Sequence, residues 1–310
     1  RWFKVYYRTK YFCRWWSNYY LDFLKNYKNI MRKPFFRIIP RLDIKNGHLI
    51  KGINLEGLRV LGDPINFANL YYNQGADEIC YIDNVATLYG TNNLSKFITR
   101  TAKNIFVPLT VGGGIRSISD IENMLNAGAD KVSINSAAVD NSKFIYKASR
   151  LFGSSTISVN LEYIDFKGKS FITKSNGRDL VPINPVDWAK KVETLGAGEI
   201  NITSVNYEGL QKGFDIKNIN KICKNIKIPV LAHGGCGDPK HVLELAQKTN
   251  VSGVVIASLF HYNSITRFKK FKSKLGNTNF LDNLNFQKKN LNLIKKIKTI
   301  LLNKGFNVRN

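Results

Sequence analysis

Two acidic side chains stand where apolar segments of the sequence end, and their placement favours acid–base chemistry. Asp43 closes the first such segment, and Glu162 closes another one 119 positions later. Two carboxylates that face each other across a site can divide the work of proton donor and proton acceptor between them. Capping of a loop, or an ion pair with Lys45 or Lys51, is the structural alternative for either residue.

Glycine-rich turns follow two further apolar segments, and binding of phosphate is the chemistry that they favour. Glycine lets backbone N–H groups approach an anion closely, and the start of a helix adds further N–H donors. The residues expected at the first site are Gly113, Gly114, Asn135 and Ser136, and those expected at the second are Gly234, Gly235, Ala257 and Ser258. Glycine also closes tight turns, so the argument for phosphate depends on the recurrence of the same pair of turns.

Charged residues begin four apolar segments at the end opposite to the carboxylates. They are Arg37, Glu78, Lys131 and Glu199, and their charges sum to zero. Side chains of a strand alternate between its two faces, so Lys131 shares a face with Asn135, and Glu199 shares one with Thr203. We therefore expect a ring of charges that points inward. Because desolvation offsets most of the Coulomb gain of such a ring, we interpret it as a gate, with a structural plug as the alternative.

These residues require a scaffold that brings the ends of several strands together. Short apolar runs alternate with amphipathic stretches of helical length from residue 37 onward, which predicts an α/β fold with a parallel sheet. The predicted strands are 37–43, 78–83, 107–111, 131–135, 156–162, 199–203, 228–232 and 253–257. Eight parallel strands suit a closed (β/α)8 TIM barrel, whose active site lies at the carboxyl ends of the strands. A doubly wound sheet would place a glycine-rich nucleotide turn after its first strand, where this sequence has none.

An internal repeat indicates that the barrel consists of two similar halves. Segment 75–83 aligns with 196–204, 107–115 with 228–236, and 132–138 with 254–260, at offsets of 121, 121 and 122 residues. Asp43 and Glu162 correspond at nearly the same offset. We therefore predict a two-fold internal repeat of four-stranded half-barrels, each with one phosphate site.

The net charge of +25 suggests a nucleic-acid partner, but the distribution of charge weakens that interpretation. Residues 1–30 carry +6 and residues 262–310 carry +11, which leaves +8 for the region between them. Most of the excess therefore lies outside the patterned region. We expect solvated basic tails and no nucleic-acid partner, with a surface for polyanions or for an acidic partner as the alternative.

Three segments fall outside the regular alternation. Residues 1–30 are aromatic and basic and precede Met31; they form either a stretch translated upstream of the natural start or a segment that lies on a membrane surface. Residues 31–310 are then a single barrel with a Lys- and Asn-rich insertion at 263–289. Helical periodicity at 291–306 predicts a last helix that closes the barrel. No apolar run reaches the length of a membrane span.

The four cysteines point to free thiols. They form no CxxC pair and no His/Cys cluster with the spacing of a zinc site. Free thiols are typical of a reducing compartment, so we expect a cytoplasmic protein without a metal or a cofactor.

Several motifs in combination resemble those of one known family. They are LDIKNGHLIKG at 42–52, TVGGGI at 110–115, GADKVSINSAAV at 128–139, GAGEINITS at 196–204 and ASLFH at 257–261. From Arg37 to about His261, and again in GFNVR at 305–309, the chain resembles the cyclase subunit of imidazole glycerol phosphate synthase. The resemblance covers most of the chain apart from 1–30 and 263–289.

The resemblance implies a function and a partner. Members of this family form a heterodimer with a glutaminase and use its ammonia to cyclise a bis-phosphorylated aminoimidazole carboxamide ribotide precursor in histidine biosynthesis. The products are imidazole glycerol phosphate and an aminoimidazole carboxamide ribotide. On this resemblance Asp43 and Glu162 take the two acid–base positions, and the four-residue ring is an ammonia gate. The residues that contact substrate would include Lys51, Asn135, Thr203 and Gly209.

The second half departs from the family pattern, which leaves two alternatives open. Glu162 stands where the family has aspartate, the family's TS-x-D-x-DG loop reads TSVNYEG at 203–209, and His233 replaces a small residue. One alternative is a barrel retained as an ammonia conduit and scaffold. The other is a branch encoded with surface-polysaccharide (O-antigen) genes, suggested by RIIPRLDIK at 37–45, which supplies ammonia for amidation of a sugar and has little or no cyclase activity.

Overall fold

Among the described residues, twelve strands form one sheet, and eight of them close into a parallel barrel. The computed structural model describes residues 34–84, 95–265 and 292–309. The strands are β1 (Arg37–Lys45), β2 (His48–Ile53), β3 (Glu56–Gly62), β4 (Ile79–Asp83), β5 (Leu109–Gly112), β6 (Lys131–Ile134), β7 (Ile157–Phe166), β8 (Lys169–Lys174), β9 (Asp179–Val181), β10 (Glu199–Ser204), β11 (Val230–His233) and β12 (Gly253–Ile256). The ring runs β1, β4, β5, β6, β7, β10, β11, β12 and back to β1. Each of the eight predicted strands overlaps one of these, and the predicted TIM barrel is confirmed.

The register of the ring places β1 and β7 on opposite sides of the barrel. Closure is made by parallel pairing of β12 with β1, from Arg37 opposite Gly253 to Pro40 opposite Ile256. Counted in either direction, β7 is the fourth strand from β1. The strands that end near the two acidic candidates therefore face each other.

Two antiparallel hairpins, which the sequence pattern did not predict, extend the internal repeat. Strands β2 and β3 follow β1, and β8 and β9 follow β7. Each hairpin thus begins just after a candidate carboxylate, at the same place in each half.

Ten helices lie within the described residues, mostly between barrel strands. They are α1 (Pro64–Asn73), α2 (Ser95–Ala102), α3 (Ile118–Asn126), α4 (Ser136–Asp140), α5 (Lys143–Phe152), α6 (Pro185–Thr194), α7 (Ile216–Cys223), α8 (Pro239–Lys248), α9 (Ser258–Ser264) and α10 (Leu293–Leu302). Local sequence explains several starts. Asp63, Asn184 and Asp238 each cap a helix that begins with proline, and Ser117 forms a capping box with Asp120.

The alternation of side chains along the strands separates two apolar layers. Outward-facing residues such as Ile38, Val111 and Val254 pack against the apolar faces of the helices. The second cluster lies inside the barrel and consists of Ile39, Cys80, Ile82, Leu231 and Val255. A closed barrel is therefore filled by side chains rather than by an open pore.

The last helix is tied to the amino end of the barrel. Helix α10 lies within the predicted segment 291–306, and the buried ammonium of Lys298 lies 2.6 Å from the carboxylate of Asp77. That carboxylate also accepts from the backbone N–H of Ile38 at 2.8 Å. Asp77 thus links α10 to the start of β1.

The expected extension at 1–30 and almost all of the expected insertion at 263–289 lie outside the described residues. Cα packing divides the chain into Arg1–Pro34 and Phe35–Asn310. Within the described ranges, no helix is both long and apolar enough to cross a membrane.

Candidate active site

A cavity of about 380 Å³ opens at the carboxyl ends of β4 to β7. Its lining includes the first predicted phosphate turn together with one of the two acidic candidates: Gly113, Gly114, Asn135, Ser136 and Glu162. Asn84, Arg116 and Asn176 also line it, and the sequence reasoning did not single them out. The structure therefore brings one predicted phosphate turn and one candidate carboxylate together in a single space.

The glycines of the two turns are required by their backbone geometry. Gly113 has φ +96°, and a Cβ there would lie 2.2 Å from the carbonyl oxygen of Asp83. Gly235 has φ +99°, and a Cβ there would lie 1.8 Å from the carbonyl oxygen of Gly213. Neither position accepts a side chain, so glycine is what lets each turn pack this closely against the neighbouring backbone.

The second predicted phosphate site is a much smaller space at the ends of β11 and β12. Its volume is about 10 Å³, and its lining includes Gly209, His233, Gly234, Gly235, Ala257 and Ser258. Asn135 and Ala257 precede the short helices α4 and α9 with similar backbone angles, φ −129° and ψ −85° against φ −114° and ψ −75°. The two halves therefore repeat the turn in backbone detail, although only the first turn borders a large cavity.

Asp43 is buried at the mouth of the barrel in an ion pair within its own strand. Its Oδ1 accepts from Nε of Arg41 at 2.8 Å, and both side chains are fully enclosed. Burial by itself raises the pKa of this carboxyl, but the Arg41 guanidinium, with Lys51, outweighs that effect and holds the pKa below its ordinary value. Asp43 is therefore ionised at neutral pH.

Glu162 is equally buried but has only neutral hydrogen-bond donors. Its Oε1 accepts from the side-chain amide of Asn160 at 2.9 Å, and its Oε2 accepts from the backbone N–H of Gly177 at 3.1 Å. Burial raises the pKa of Glu162 to about 7, against the lowering influence of Arg41 and of the Gly177 N–H. Glu162 therefore exchanges its proton near neutral pH, unlike Asp43.

The four charges predicted at the amino end do form a ring. Arg37 lies 3.3 Å from Glu78 and forms a closer ion pair with Glu199, while Lys131 lies 2.9 Å from Glu78 and 3.5 Å from Glu199. The hydroxyl of Thr110 also donates to Glu78 at 2.5 Å. Burial lowers the pKa of Arg37, but the two carboxylates raise it above its ordinary value. The four side chains thus alternate in sign across the barrel floor.

The interior between the ring and the carboxylates is lined on one side by apolar residues. Ile39 of β1 lies between Arg37 and Arg41 on the inward face, and it belongs to the interior cluster defined above. Within the ranges that the structure describes, no group of three His, Cys, Asp or Glu residues is arranged to hold a metal ion.

Comparison with known proteins places this geometry in a family. The family model described as histidine biosynthesis protein matches residues 37–266. The imidazole glycerol phosphate synthase subunit HisF of Lactococcus lactis subsp. cremoris (strain MG1363) is 45% identical over 232 residues, which cover 74% of this chain and 90% of that protein. The subunit of the same name from Bacillus cereus (strain Q1) is 45% identical over 244 residues, which cover 78% of this chain and 96% of that protein. The chain belongs to the HisF family.

Membership of the HisF family confirms the resemblance seen in the sequence motifs. The matched region begins at Arg37, the first residue of β1, and ends just after α9. The relatives named above are synthase subunits, and neither name concerns surface polysaccharide. The comparisons therefore give no support to the sugar-amidation alternative.

Lys51, which the HisF resemblance assigns to substrate, forms a buried ion pair in this structure. Its ammonium contacts Oε1 of Glu208, and both residues are almost fully enclosed. The other oxygen of Glu208 accepts from the backbone N–H of Leu55 at 3.1 Å, which ties the loop after β10 to the β2–β3 hairpin. The ammonium of Lys51 is thus enclosed, with Glu208 as its partner.

Thr203 and His233 lie in the interior of the second half of this HisF-family barrel. The hydroxyl of Thr203 donates to Oδ1 of Asn160 at 3.2 Å, which orients the amide that faces Glu162. Nδ1 of His233 lies 2.8 Å from the carbonyl oxygen of Val255 and must be the donor there. Burial, aided by the Arg41 guanidinium, lowers the pKa of His233 to about 4, so its imidazole is neutral at neutral pH.

Sequence reasoning missed Arg41 and Asn160. Each is two residues before an acidic candidate and donates to it, at 2.8 Å and 2.9 Å respectively. A signal was available, because residues two apart in a strand point to the same face. Both residues therefore had to share the inward face with the carboxylate that follows.

Proposed function

We propose that this chain is the cyclase subunit of imidazole glycerol phosphate synthase, a lyase that works with a glutaminase subunit. It uses ammonia to cyclise a bis-phosphorylated aminoimidazole carboxamide ribotide precursor into imidazole glycerol phosphate. The observation that carries the proposal is a pair of opposed, buried carboxylates between two glycine turns that repeat in both halves of a HisF-family barrel. A substrate with a phosphate at each end matches that symmetry.

The proposed reaction needs both a base and an acid. A ring nitrogen of imidazole carries at most one hydrogen, so ammonia must give up protons as it enters the ring, and the second product leaves as an amine that takes up a proton. Asp43, held ionised by Arg41, acts as the base. Glu162, whose pKa is about 7, carries the proton that is donated. The two environments thereby separate the two roles.

Substrate binding is assigned to the two turns. The cavity beside Gly113 and Gly114 also borders Glu162, so a phosphate held there directs the rest of the substrate toward the carboxylates. The opposite phosphate is assigned to Gly234 and Gly235. Since this second space is small, we expect the loop after β10 and the β2–β3 hairpin to move when substrate enters, with Lys51 carried along.

Ammonia is assigned a route through the barrel from the amino end. The ring of Arg37, Glu78, Lys131 and Glu199 lies at that end, and the apolar interior cluster lies between it and the carboxylates. A neutral ammonia molecule crosses an apolar interior more readily than ammonium, because desolvation of a charge is costly. We therefore assign the ring as the gate and the amino end of the barrel as the face that docks the glutaminase. Buried free thiols at Cys80, Cys223 and Cys236 support a reducing compartment, the cytoplasm.

A growth test separates this function from that of a conduit or scaffold. The chain is expressed in a bacterium that lacks its own cyclase subunit, on medium without histidine but rich in ammonium salt, so that no match to the host glutaminase is needed. We expect growth with the natural sequence and none with Asp43→Asn produced at the same level. Failure of the natural, folded chain to support growth at any ammonium concentration would contradict the proposal.

A further inference from the structure

Arg41 is a fully buried cation at the centre of the barrel. It shares the inward face of β1 with Arg37 and Asp43, and its Nε donates to Oδ1 of Asp43 at 2.8 Å. Within the described part of the chain, neither Nη1 nor Nη2 has a hydrogen-bond partner. Asp43 is therefore the carboxylate that directly balances this charge.

The two halves of the barrel treat equivalent positions differently. Asn160 precedes Glu162 by two residues, as Arg41 precedes Asp43, and the offset between the halves is 119 residues in both cases. Each residue donates one hydrogen bond to the carboxylate that follows it. The geometry is thus conserved between the halves while the charge is not. A guanidinium stands in the first half and a neutral amide in the second.

This difference fixes which carboxylate keeps a proton. A guanidinium does not lose its proton in a protein, so protonation of Asp43 would leave a buried cation without its counter-ion. Protonation of Glu162 leaves the amide of Asn160 neutral, and one of the carboxyl oxygens can still accept from it. The first half therefore resists protonation of its carboxylate, and the second half tolerates it.

The other titratable groups near Asp43 do not replace Arg41. The groups other than Arg41 that interact electrostatically with Asp43 are Lys51 on β2, Cys80 on β4, Glu162 on β7, His233 on β11 and His261 on α9. Lys51 is paired with Glu208, and burial keeps both histidines neutral and the Cys80 thiol protonated at neutral pH. Among the described residues, Asp43 is thus the one carboxylate in direct contact with Arg41.

We propose that Arg41 is a positioning residue that fixes Asp43 as the permanent base of the pair and so leaves Glu162 as the group that donates a proton. The assignment rests on the cyclase function proposed above. Asp43 accepts a proton from the ammonia nitrogen, and Glu162 gives its proton to the departing amine. Transfer of that proton from Asp43 to Glu162, directly or through solvent, restores both groups, and the further protons that ammonia loses as it enters the ring pass to solvent.

The test compares three versions of the full chain. Arg41→Asn copies the residue of the other half, Arg41→Lys keeps the charge, and Arg150→Asn removes an exposed arginine as the matched control. Two quantities are measured. The first is the titration of the carboxyl groups without substrate, by 13C NMR of protein labelled at Asp and Glu carboxyls, with Asp43→Asn and Glu162→Gln to assign the signals. The second is the pH profile of turnover with ammonium salt, corrected for the concentration of free ammonia.

We expect Asp43 of the natural chain to remain ionised from about pH 8 down to about pH 5, because its guanidinium partner disfavours the protonated form. In Arg41→Asn the carboxyl of Asp43 should titrate within that range. Turnover at pH 7 should fall by about tenfold or more relative to the natural chain, and this deficit should become smaller as the pH rises. Arg41→Lys should restore ionised Asp43 and much of the turnover, and Arg150→Asn should match the natural chain.

Two results would overturn the assignment. One is titration of Asp43 between about pH 5 and pH 8 in the natural chain, a measurement that needs no variant to fold. The other is a folded Arg41→Asn protein whose Asp43 stays ionised and whose activity falls equally at every pH, as a merely structural role would produce. The natural chain could also show no turnover while its carboxyls titrate as expected. That result would contradict the cyclase function but leave intact the inference that Arg41 separates the pKa values of Asp43 and Glu162.

Discussion

The ammonium of Lys131 lies 2.9 Å from Oε2 of Glu78 in the ring of charges at the floor of the barrel. Lys131 also lies 3.5 Å from Glu199. Lys131 and Arg37 therefore each contact the same two carboxylates, Glu78 and Glu199. Both carboxylates are nearly enclosed, whereas the two cations keep about a fifth of their side-chain surface exposed, 21% for Arg37 and 18% for Lys131. The cations are thus the members of the ring that remain partly accessible to solvent.

Removal of Lys131 should separate the two sources of ammonia. In Lys131→Ala we expect turnover with glutamine to fall by about tenfold or more relative to turnover with ammonium salt, because the ring no longer controls entry from the partner. Both rates are measured on the complex with the glutaminase. Lys147→Ala, at an exposed position of α5, serves as the control. Equal losses with both nitrogen sources would show that the ring is a structural plug.

The raised pKa of Glu162 predicts a descending limb in the pH profile. Glu162 donates a proton in this account, so turnover corrected for free ammonia should fall as the pH rises through about 7. Glu162→Gln should lower turnover by about a hundredfold or more and remove that limb, since the amide cannot donate in the same way. Glu122→Gln, exposed on α3, is the matched control. Persistence of the limb in Glu162→Gln would assign it to another group.

The variant Glu162→Asp tests whether the length of the side chain at position 162 affects turnover. Aspartate restores the side-chain length that the family pattern has at this position, but it also draws the carboxyl back from the amide of Asn160. For a cyclase we expect turnover to change measurably, in either direction, because misplacement of a reacting group by about 1 Å affects rate. Absence of turnover in both the natural chain and Glu162→Asp, with both proteins folded, would favour a scaffold role.

The neutral imidazole of His233 predicts a loss of stability in acid. Its pKa is about 4 in the folded chain and near its ordinary value of 6.5 when unfolded, so the unfolded chain binds more protons between these two values. The stabilising contribution is complete above pH 6.5 and is lost as the pH falls toward 4. Between about pH 7.5 and pH 5 the natural chain should therefore lose about 2 kcal/mol more unfolding free energy than His233→Asn. Urea unfolding at both pH values measures this, and equal losses would mean that His233 is not held neutral.

Gly113 and Gly168 allow a matched test of the first phosphate turn. Both have positive φ, +96° and +75°, but a Cβ at Gly113 meets the backbone of Asp83 whereas a Cβ at Gly168 meets nothing within 4 Å. Gly168→Ala should cost about 1 kcal/mol of stability and leave the KM for the bis-phosphate unchanged. Gly113→Ala should raise that KM by about tenfold or more, which corresponds to a loss of about 1.4 kcal/mol in binding. Similar KM values for the two variants would place the phosphate elsewhere.

The sequence predicted the barrel and much of its mouth because those features follow from local patterns. Apolar runs located the eight strands, the glycine turns located both phosphate candidates, and the alternation of strand side chains placed Lys131 and Glu199 on the inward face. These signals depend on residue type and spacing alone. They need no knowledge of which atoms meet across the barrel.

What the sequence did not predict depends on contacts between distant segments. The ion pair of Lys51 and Glu208 joins residues 157 positions apart, and no local pattern pairs them. The hairpin strands after β1 and β7 are interrupted by polar residues, such as Lys51 in β2 and Thr173 in β8, and so lack the continuous apolar run of a barrel strand. The raised pKa of Glu162 requires the burial that the whole mouth provides.

The central claim is that this barrel itself performs the cyclisation, and steady-state turnover measures it directly. The purified chain is supplied with ammonium salt and the bis-phosphorylated precursor, without glutaminase, near pH 7. We predict saturable formation of imidazole glycerol phosphate, reduced by about a hundredfold or more in Asp43→Asn and unchanged in Asp187→Asn, an exposed aspartate of α6. A folded chain that binds the precursor and forms no product at any ammonium concentration would contradict the account.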